Sequence, residues 1–388
     1  MPNPNTILTT VNVTMRGNLL GTTDKRPKPL SPTKAPPILP SEVIEEILVR
    51  VPASTLVKLK IVCKSWNALI SNPEFARDHL HWSRADPRMT RPRLIYSFSD
   101  DRKIRFSNPS SPLNEAGFFE MDVGLDILGS CNGLICLRWM TGYLRQSIRL
   151  WNPCTRSASD WLEIASQPGD MYGFGYDRVH HNYKFLYGHK IHTFGSNSRT
   201  TIVQDPPSYD PKQAIGTFVY GTLNWAAQAR SNFLEWVILS FDLANENFCP
   251  LSLPDMDNSE ERYVPAVGAL RDRLCVCLKE KYGRWIFWVM EDYGVQESWT
   301  KFITIFSKSH QLDRRFYPFK AMYMTENDDV LAVFFSPYHN VSFNLVIIKA
   351  DDGRAWQRNV YKADHQDCYV YHESLVSPSH LGLPSFHY

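Results

Sequence analysis

The 388 residues contain no apolar run of the ~18 positions that a membrane helix needs. No secretory apolar core follows Met1. Neither sign of charge dominates, with 42 basic against 40 acidic residues and a formal net charge of +2. That balance argues against nucleic acid or an anionic bilayer as main partner. A regular cysteine framework is also missing. Eight cysteines are scattered at 63, 131, 136, 154, 249, 275, 277 and 368, mostly in apolar runs where a free thiol packs as a small hydrophobe. The expected setting is reducing, cytoplasm and/or nucleus. Asn12-Val-Thr14 and Asn340-Val-Ser342 fit the glycosylation sequon, which without a secretory route reads as chance.

Catalytic signatures are equally scarce. There is no Gly-x-Ser-x-Gly and no phosphate loop. Gly173-Phe-Gly175 lacks a third glycine and a following helix. His180-His181 lacks spaced Cys or His partners. Cys275-x-Cys277 lacks the redox spacing and puts both sulfurs on one face of a strand, with Leu274 and Val276 on the other. No catalytic set, no metal site and no cofactor are expected, and the chain reads as non-enzymatic.

What is present is a core. Hydrophobic residues make up 43% and aromatics 13%, and the length fits two domains. Residues 1–38 are acid-poor and carry Arg16, Lys25, Arg26, Lys28 and Lys34, closing on "KPLSPTKAPPILP". Without an amphipathic arginine pattern this reads as a disordered Pro-rich tail rather than a transit peptide. Residues 39–82 have helical periodicity. Ser41 suits an N-cap, and Glu42, Glu45 and Glu46 suit the positive end of a helix dipole. Pro52 ends the first helix. Ser54 is read as the cap of a second, with Leu56, Leu59 and Val62 on one face. A phase break at Cys63 starts a third through Trp66 and Ile70, and Asn72-Pro73 caps a short fourth. Leu39, Ile47, Leu48, Val51, Leu56, Leu59, Val62 and Trp66 are too many for the mutual core of so small a bundle. Either the propeller-like remainder of the chain or a partner surface is needed to cover them.

After a linker at 83–91 the period changes to that of strands. "RLIYSFS", "GLICLRW", "SIRLWNP", "YKFLYGHKIHTF", "GTLNWAA", "WVILSFDL", "RLCVCLKE", "RWIFWVM", "DVLAVFF" and "NLVIIKA" alternate with Gly, Pro, Asn and Asp turns. No long amphipathic helix intervenes, which leaves a propeller or a sandwich. A loose unit of roughly 45–50 residues recurs near 221–254, 268–302 and 327–359, a blade-like period. The expected fold is mainly β with a small N-terminal α domain, a helical segment followed by a kelch-like β-propeller over 92–378. A tail is expected at 379–388. Closure requires the first strand, near Arg93–Phe98, to pair with the last, near Cys368–Val376. Polar connections at 100–120, 195–213, 255–262 and 306–318 are the candidate recognition loops. Trp161 is the candidate surface tryptophan, and Arg314-Arg315 a weak site for an acidic or phosphorylated target.

"LPSEVIEEILVRVPASTLVKLKIVCKSWNALISNPEFARDHL" resembles an F-box, in its Leu39-Pro40 opening, its Ile-Leu-x-Arg-Val-Pro at 47–52 and its Val-Cys-Lys-x-Trp at 62–66. "GSCNGLICL", "LWNPCTR", "YGFGYDRVHHNYK", "KIHTF", "GTLNW", "SFDLANENF", "VMEDYGVQESWTKF" and "YHESLVSP" follow in the order of the plant F-box-associated domain of F-box/kelch-repeat proteins. Two stretches depart from it: "SASDWLEIASQP" replaces a short run ending Leu-Pro, and "FGSNSRTTIVQDPPS" is looser than usual. No Gly-Gly pair marks the blades, so the kelch label rests on architecture. The resemblance implies a substrate receptor of an SCF-type ubiquitin ligase, docking to a Skp-family adaptor and through it a cullin-RING ligase, with the propeller holding a target protein. The implied adaptor-binding residues are Leu39, Pro40, Ile44, Ile47, Leu48, Val51, Pro52, Leu56, Leu59, Val62, Cys63 and Trp66. The competing expectation is a binding module for a small molecule, glycan or ribonuclease-type partner outside a ligase.

Overall fold

A computed structural model describes residues 39–86, 89, 92–97, 103–109, 111–120, 125–140, 145–165, 167, 169–195, 198–204, 208–232, 234–255, 264–280, 284–306, 317–336, 342–348, 355–357 and 368–387. Four helices come first: α1 Ser41–Leu48, α2 Ala53–Leu59, α3 Lys64–Ile70 and α4 Pro73–Ala85. Asn72 caps α4, its side chain accepting the Glu74 N–H at 2.7 Å, and Pro73 opens the helix where no N–H is needed. The fourth helix is therefore not short; at 13 residues it is the longest of the four and runs into the expected linker. Ser54 does not cap α2. Pro52 holds that position without a side-chain bond, because its fixed φ already suits the entry to a helix.

The remaining strands make six sheets among the described residues. The first blade joins β1 Pro92–Ser97, β2 Lys103–Asn108 and β3 Ser111–Glu120. The second holds β4 Asp126–Cys131, β5 Leu134–Met140, β6 Arg145–Asn152, β7 Ser157–Ser159 and β8 Leu162–Ala165. The third is β9 Tyr172–Asp177, β10 Asn182–Tyr187, β11 Lys190–Phe194 and β12 Arg199–Ile202. The fourth is β13 Tyr209–Pro211, β14 Thr217–Val219, β15 Thr222–Ala229, β16 Trp236–Asp242 and β17 Asn247–Ser252. β18 Ala266–Leu270, β19 Arg273–Glu280, β20 Arg284–Met290 and β21 Trp299–Phe306 form the fifth. β22 Tyr317–Met324, β23 Val330–Ser336, β24 Ser342–Ile348 and β25 Ala355–Gln357 form the sixth. β26 Cys368–His372 then returns to the first blade, and β27 Ser385–His387 to the second.

The innermost strands form a ring: β4 lies beside β9, β9 beside β14, β14 beside β18, β18 beside β22, β22 beside β26 and β26 beside β4. This is a six-bladed propeller. The ring closes as the sequence requires. β1 pairs antiparallel with β26, from Pro92 opposite His372 to Tyr96 opposite Cys368, so no inner edge stays open. Close approach of inner strands demands glycine. A Cβ on Gly268 of β18 would lie 2.3 Å from the Ala321 carbonyl oxygen of β22. The alternation of each strand is read out in the packing. Cys275 and Cys277 of β19 join one apolar cluster with Phe287 and Ala332, while Leu274 and Val276 join another with Val219 and Trp288.

Further sequence expectations change, and the expected connection at 195–213 holds the short strands β12 and β13. "YKFLYGHKIHTF" is not one strand but a hairpin, β10 and β11, turned at Gly188 with φ 54°. Within the expected 100–120 connection, Lys103–Asn108 and Ser111–Glu120 are strands rather than loop. Residues 379–388 are not a tail. A 3-10 turn at Pro378–Leu381 leads into β27, which extends the second blade by pairing with β7.

Candidate protein-docking surface

Leu39 and Pro40 are exposed, and the Pro40 carbonyl accepts the Ile44 N–H at 3.1 Å. From Glu45 onward the helices sort their apolar residues sharply. Leu48, Val49, Ala53, Leu56, Ile70, Phe75 and Ala76 are buried. His79 is buried with them, its Nε2–H donating to the Val51 carbonyl at 2.8 Å. Burial holds its pKa below the ordinary histidine value. Leu48 and Leu56 are thus core residues of this chain and offer no area to an adaptor, contrary to the sequence reading. The reason is geometric. α2 has only seven residues and stops at Leu59, so Leu56 and Val62 do not share a face.

Other apolar side chains stay outside. Ile47 is 51% exposed, Val62 57% and Ile61 90%. Val51, Pro52, Leu59 and Trp66 are half-buried, and Ile44 likewise within its own segment. Cys63 is exposed at the start of α3. Hydrogen bonds from the Ser65 hydroxyl and the Trp66 and Ser65 N–H groups hold its thiol pKa below the usual range. Ile61 is absent from the sequence-derived set. Helical periodicity does not register that the chain turns there after α2. Arg50 stacks on the Trp82 ring at 4.9 Å while the residue stays exposed.

The helices rest on the propeller at the end where the innermost strands finish. Leu80 of α4 packs on the cluster containing Cys131, Leu134, Tyr183 and Val376. Arg84 donates to the Asn132 side-chain oxygen in the turn between β4 and β5. The segment after β26 fills the seam. Ser374 donates to the Asn132 carbonyl at 2.7 Å, and Asn152 donates to the Ser374 and Val376 carbonyls at 3.0 and 2.6 Å. Gly133 is required beneath it: at φ 79° its Cβ would lie 2.1 Å from the Ser374 hydroxyl oxygen. His380, in the 3-10 turn, bonds the Ser71 backbone.

The family-like motifs prove structural. Asn152, Asp177 and Asp242 each accept the N–H two residues on, and each such turn ends on a left-handed residue, Arg156, His181 or Glu246. Lys184 is buried and ties two of these turns together. Its ammonium lies 3.0 Å from the Asp177 carboxylate, 2.8 Å from Glu246 and 2.5 Å from the Leu243 carbonyl. Desolvation raises the Asp177 pKa, but bonds from the His180 backbone, the His180 ring and Lys184 outweigh it, and the net shift is downward. Tyr293, in "MEDYGVQ", reaches from the fifth blade to Thr222 Oγ1 at 2.8 Å, Ser240 Oγ at 2.6 Å and Asn224 Oδ1 at 2.8 Å in the fourth.

Trp161 is half-buried rather than a free platform, with Arg149 4.4 Å above its ring and Trp139 5.9 Å away. Arg314 and Arg315 lie outside the described residues, as does most of the 306–318 connection. Among the described residues no His, Cys, Asp and Glu group is arranged to hold a metal. No described helix is long and apolar enough to cross a membrane.

Comparison with known proteins matches this architecture segment by segment. An F-box domain model matches residues 37–78, and an F-box associated beta propeller domain model matches residues 89–378. An F-box/kelch-repeat protein of Arabidopsis thaliana is 29% identical over 304 residues, 70% of this chain and 80% of its own. The Arabidopsis F-box protein CPR1 is 26% identical over 310 residues, 69% of this chain and 73% of its own. Among solved structures, TolB of Acinetobacter baumannii superposes with a TM-score of 0.45 at 9% identity, over 73% of this chain and 67% of that one. With its helices at the F-box and its ring of blades at the associated domain, this chain belongs to the plant F-box proteins that carry an F-box-associated β-propeller.

Proposed function

We propose that this protein is the substrate-recognition subunit of an SCF-type ubiquitin ligase. Its F-box helices dock on a Skp-family adaptor, and its propeller holds a protein for ubiquitination and proteasomal degradation. The family's usual role supports this in general terms. The single observation that carries the docking half is the exposure of Ile47, Ile61 and Val62, three aliphatic side chains outside a bundle that has already buried Leu48, Leu56 and Ile70. Exposed singly such residues need no explanation, but three between α1 and the turn after α2 fit a surface for a partner. The adaptor-facing set is accordingly Ile47, Ile61 and Val62, with half-buried Leu59 and Trp66 beside them. The propeller acts as a binding scaffold and the protein as a non-catalytic receptor.

Copurification with a Skp-family adaptor tests the assignment. Each aliphatic side chain contributes about 1.5–3 kcal/mol when covered, so the paired change Ile47→Asp and Val62→Asp is expected to weaken the complex by roughly a hundredfold or more. Leu39→Ala with Ile47→Ala is expected to act in the same direction. An adaptor yield unchanged in both variants, with circular dichroism intact, sinks the docking assignment.

A further inference from the structure

The turns between the two innermost strands of the second to sixth blades form a rim on the propeller face where the helices sit. Most of the side chains on this rim have a visible structural task. Asn132 is bonded by Arg84 and Ser374. Arg271 is held by Asp328 at 2.8 Å and by the Thr325 carbonyl at 2.7 Å. Tyr220 has no such hydrogen bond or ion pair among the described residues. It occupies the first position of the two-residue turn between β14 and β15 at φ 50°, the left-handed conformation that Arg271 also adopts at φ 48° and that a residue with a Cβ takes only at a cost. The equivalent turn of the second blade uses Asn-Gly, the favoured pair. No burial compensates Tyr220, which is 60% exposed.

A second residue converges on it. Arg178, in the turn between β9 and β10, stacks its guanidinium 4.0 Å from the Tyr220 ring centre. Val179, the next residue, is 68% exposed. Among the described residues no carboxylate pairs with Arg178, whereas the neighbouring carboxylates are taken. Asp177 and Glu246 hold Lys184, Asp242 accepts turn N–H groups, and Glu291 meets Arg273. Asp272, in the turn between β18 and β19, forms no ion pair with Arg178 among the described residues. The result is a flat aromatic surface with a fixed, unpaired cation on it and an aliphatic side chain beside it. A strained, exposed residue held in place by its surroundings is the usual mark of a working surface.

We infer that Arg178, Val179 and Tyr220 form a docking platform for an acidic peptide segment, one carrying carboxylates for the guanidinium edge and an apolar side chain for the ring and Val179. The occupant is a segment of the protein that the propeller holds, so the inference rests on the propeller's receptor role proposed above. Charge argues against the chain's own N-terminal tail, which carries Arg16, Lys25, Arg26, Lys28 and Lys34 against Asp24 within residues 1–38. A basic segment is repelled where an acidic one is drawn in.

The test uses the full-length chain and a fluorescein-labelled twelve-residue peptide of Glu and Asp with one central Phe, read by anisotropy. Controls replace its acids by Gln, or its Phe by Ser. Saturable binding is expected, weakening as salt rises and lost with the Gln peptide. Arg178→Glu is expected to weaken it by about tenfold or more. Tyr220→Asn is expected to weaken it several-fold while raising the melting temperature, because Asn suits the left-handed turn. That opposed pair of changes separates a binding role from a structural one. Equal affinity in wild type and both variants, or no binding at all, overturns the platform. So does a fall in affinity for the purified Skp-family adaptor in either variant, which assigns the rim to the adaptor instead. The same titration on the Ile47→Asp, Val62→Asp chain keeps the two proposals apart, since the peptide is expected to bind there whether or not the adaptor does.

Discussion

Replacing Lys184 by Met isolates what its ammonium contributes. The side chain is 3% exposed and Asp177 is fully buried, so Met fills much of the same stem volume but leaves a carboxylate without its main cation. Glu246, with a more exposed side chain, turns to water more easily. Breaking a buried pair by removing one partner costs about 3–5 kcal/mol. Each kcal/mol lowers the melting temperature by roughly 2–4 °C in a domain of 150–250 residues, so Lys184→Met is expected to lose about 6–20 °C. The third and fourth blades sit on either side of the lesion, which also frees the Leu243 carbonyl. Near-ultraviolet circular dichroism during thermal and urea unfolding reads the loss. Adding Asp177→Asn to Lys184→Met is expected to restore part of it, since the amide oxygen still accepts the Val179 and His180 N–H groups at 2.9 and 3.0 Å without a charge to bury. The sign in pH follows from Asp177. Its folded pKa lies below the unfolded value, so its contribution is complete above about pH 4 and is lost as pH falls through the folded value. A Lys184→Met chain within about 1 kcal/mol of wild type, or a double variant less stable than the single, refutes this reading of the network.

Gly268→Ala forces a Cβ to 2.3 Å from the Ala321 carbonyl oxygen on the neighbouring blade, and backbone on both strands resists the shift. A loss of about 3 kcal/mol or failure to fold is expected, and native-like urea unfolding would contradict it. Tyr293→Phe removes one hydroxyl from a buried cluster of three partners and is expected to cost about 1–3 kcal/mol by the same assay. His79 and His192 are both held below the ordinary histidine pKa by burial, opposed in His79 by the Val51 carbonyl. The unfolded chain therefore binds more protons than the folded one below about pH 6.5, and stability falls as pH drops through that point. The melting temperature measured from pH 8 to pH 5.5 checks this, with a flat profile as the contrary result.

Ring closure was legible because it answers a problem the sequence already poses, an edge strand at each end of a repeat array. The facing of Cys275 and Cys277 was legible because a strand has a fixed period of two. The docking surface was only half legible. Helical phase marks Ile61, Leu56 and Val62 alike as apolar, and nothing in that phase records that α2 ends after seven residues. One turn therefore puts Leu56 inside and Ile61 and Val62 outside. β27 was missed for a different reason. Three residues, Ser385–His387, are too few to show alternation, and their pairing with β7 depends on the 3-10 turn that precedes them. Blade count was unreadable where the second and fourth blades add short extra strands, β8 and β13, outside the regular unit. The landmark motifs were visible as strings, but Asp177, Lys184 and Glu246 become one network only when two blades meet.

The return of β26 to the first blade sets an order of events during synthesis. β1 leaves the ribosome some 270 residues before its neighbour exists, and it stays half-paired through all of that time. The seam that seats the helices on the second blade is made by residues 374–384, later still. A nascent chain thus displays its F-box segment early but completes its propeller only after residue 384 has emerged. Ribosome-bound chains stalled near residue 365 are expected to be cleaved readily by protease within the first blade, and released chains to resist. A message cut short makes an F-box with no finished propeller behind it.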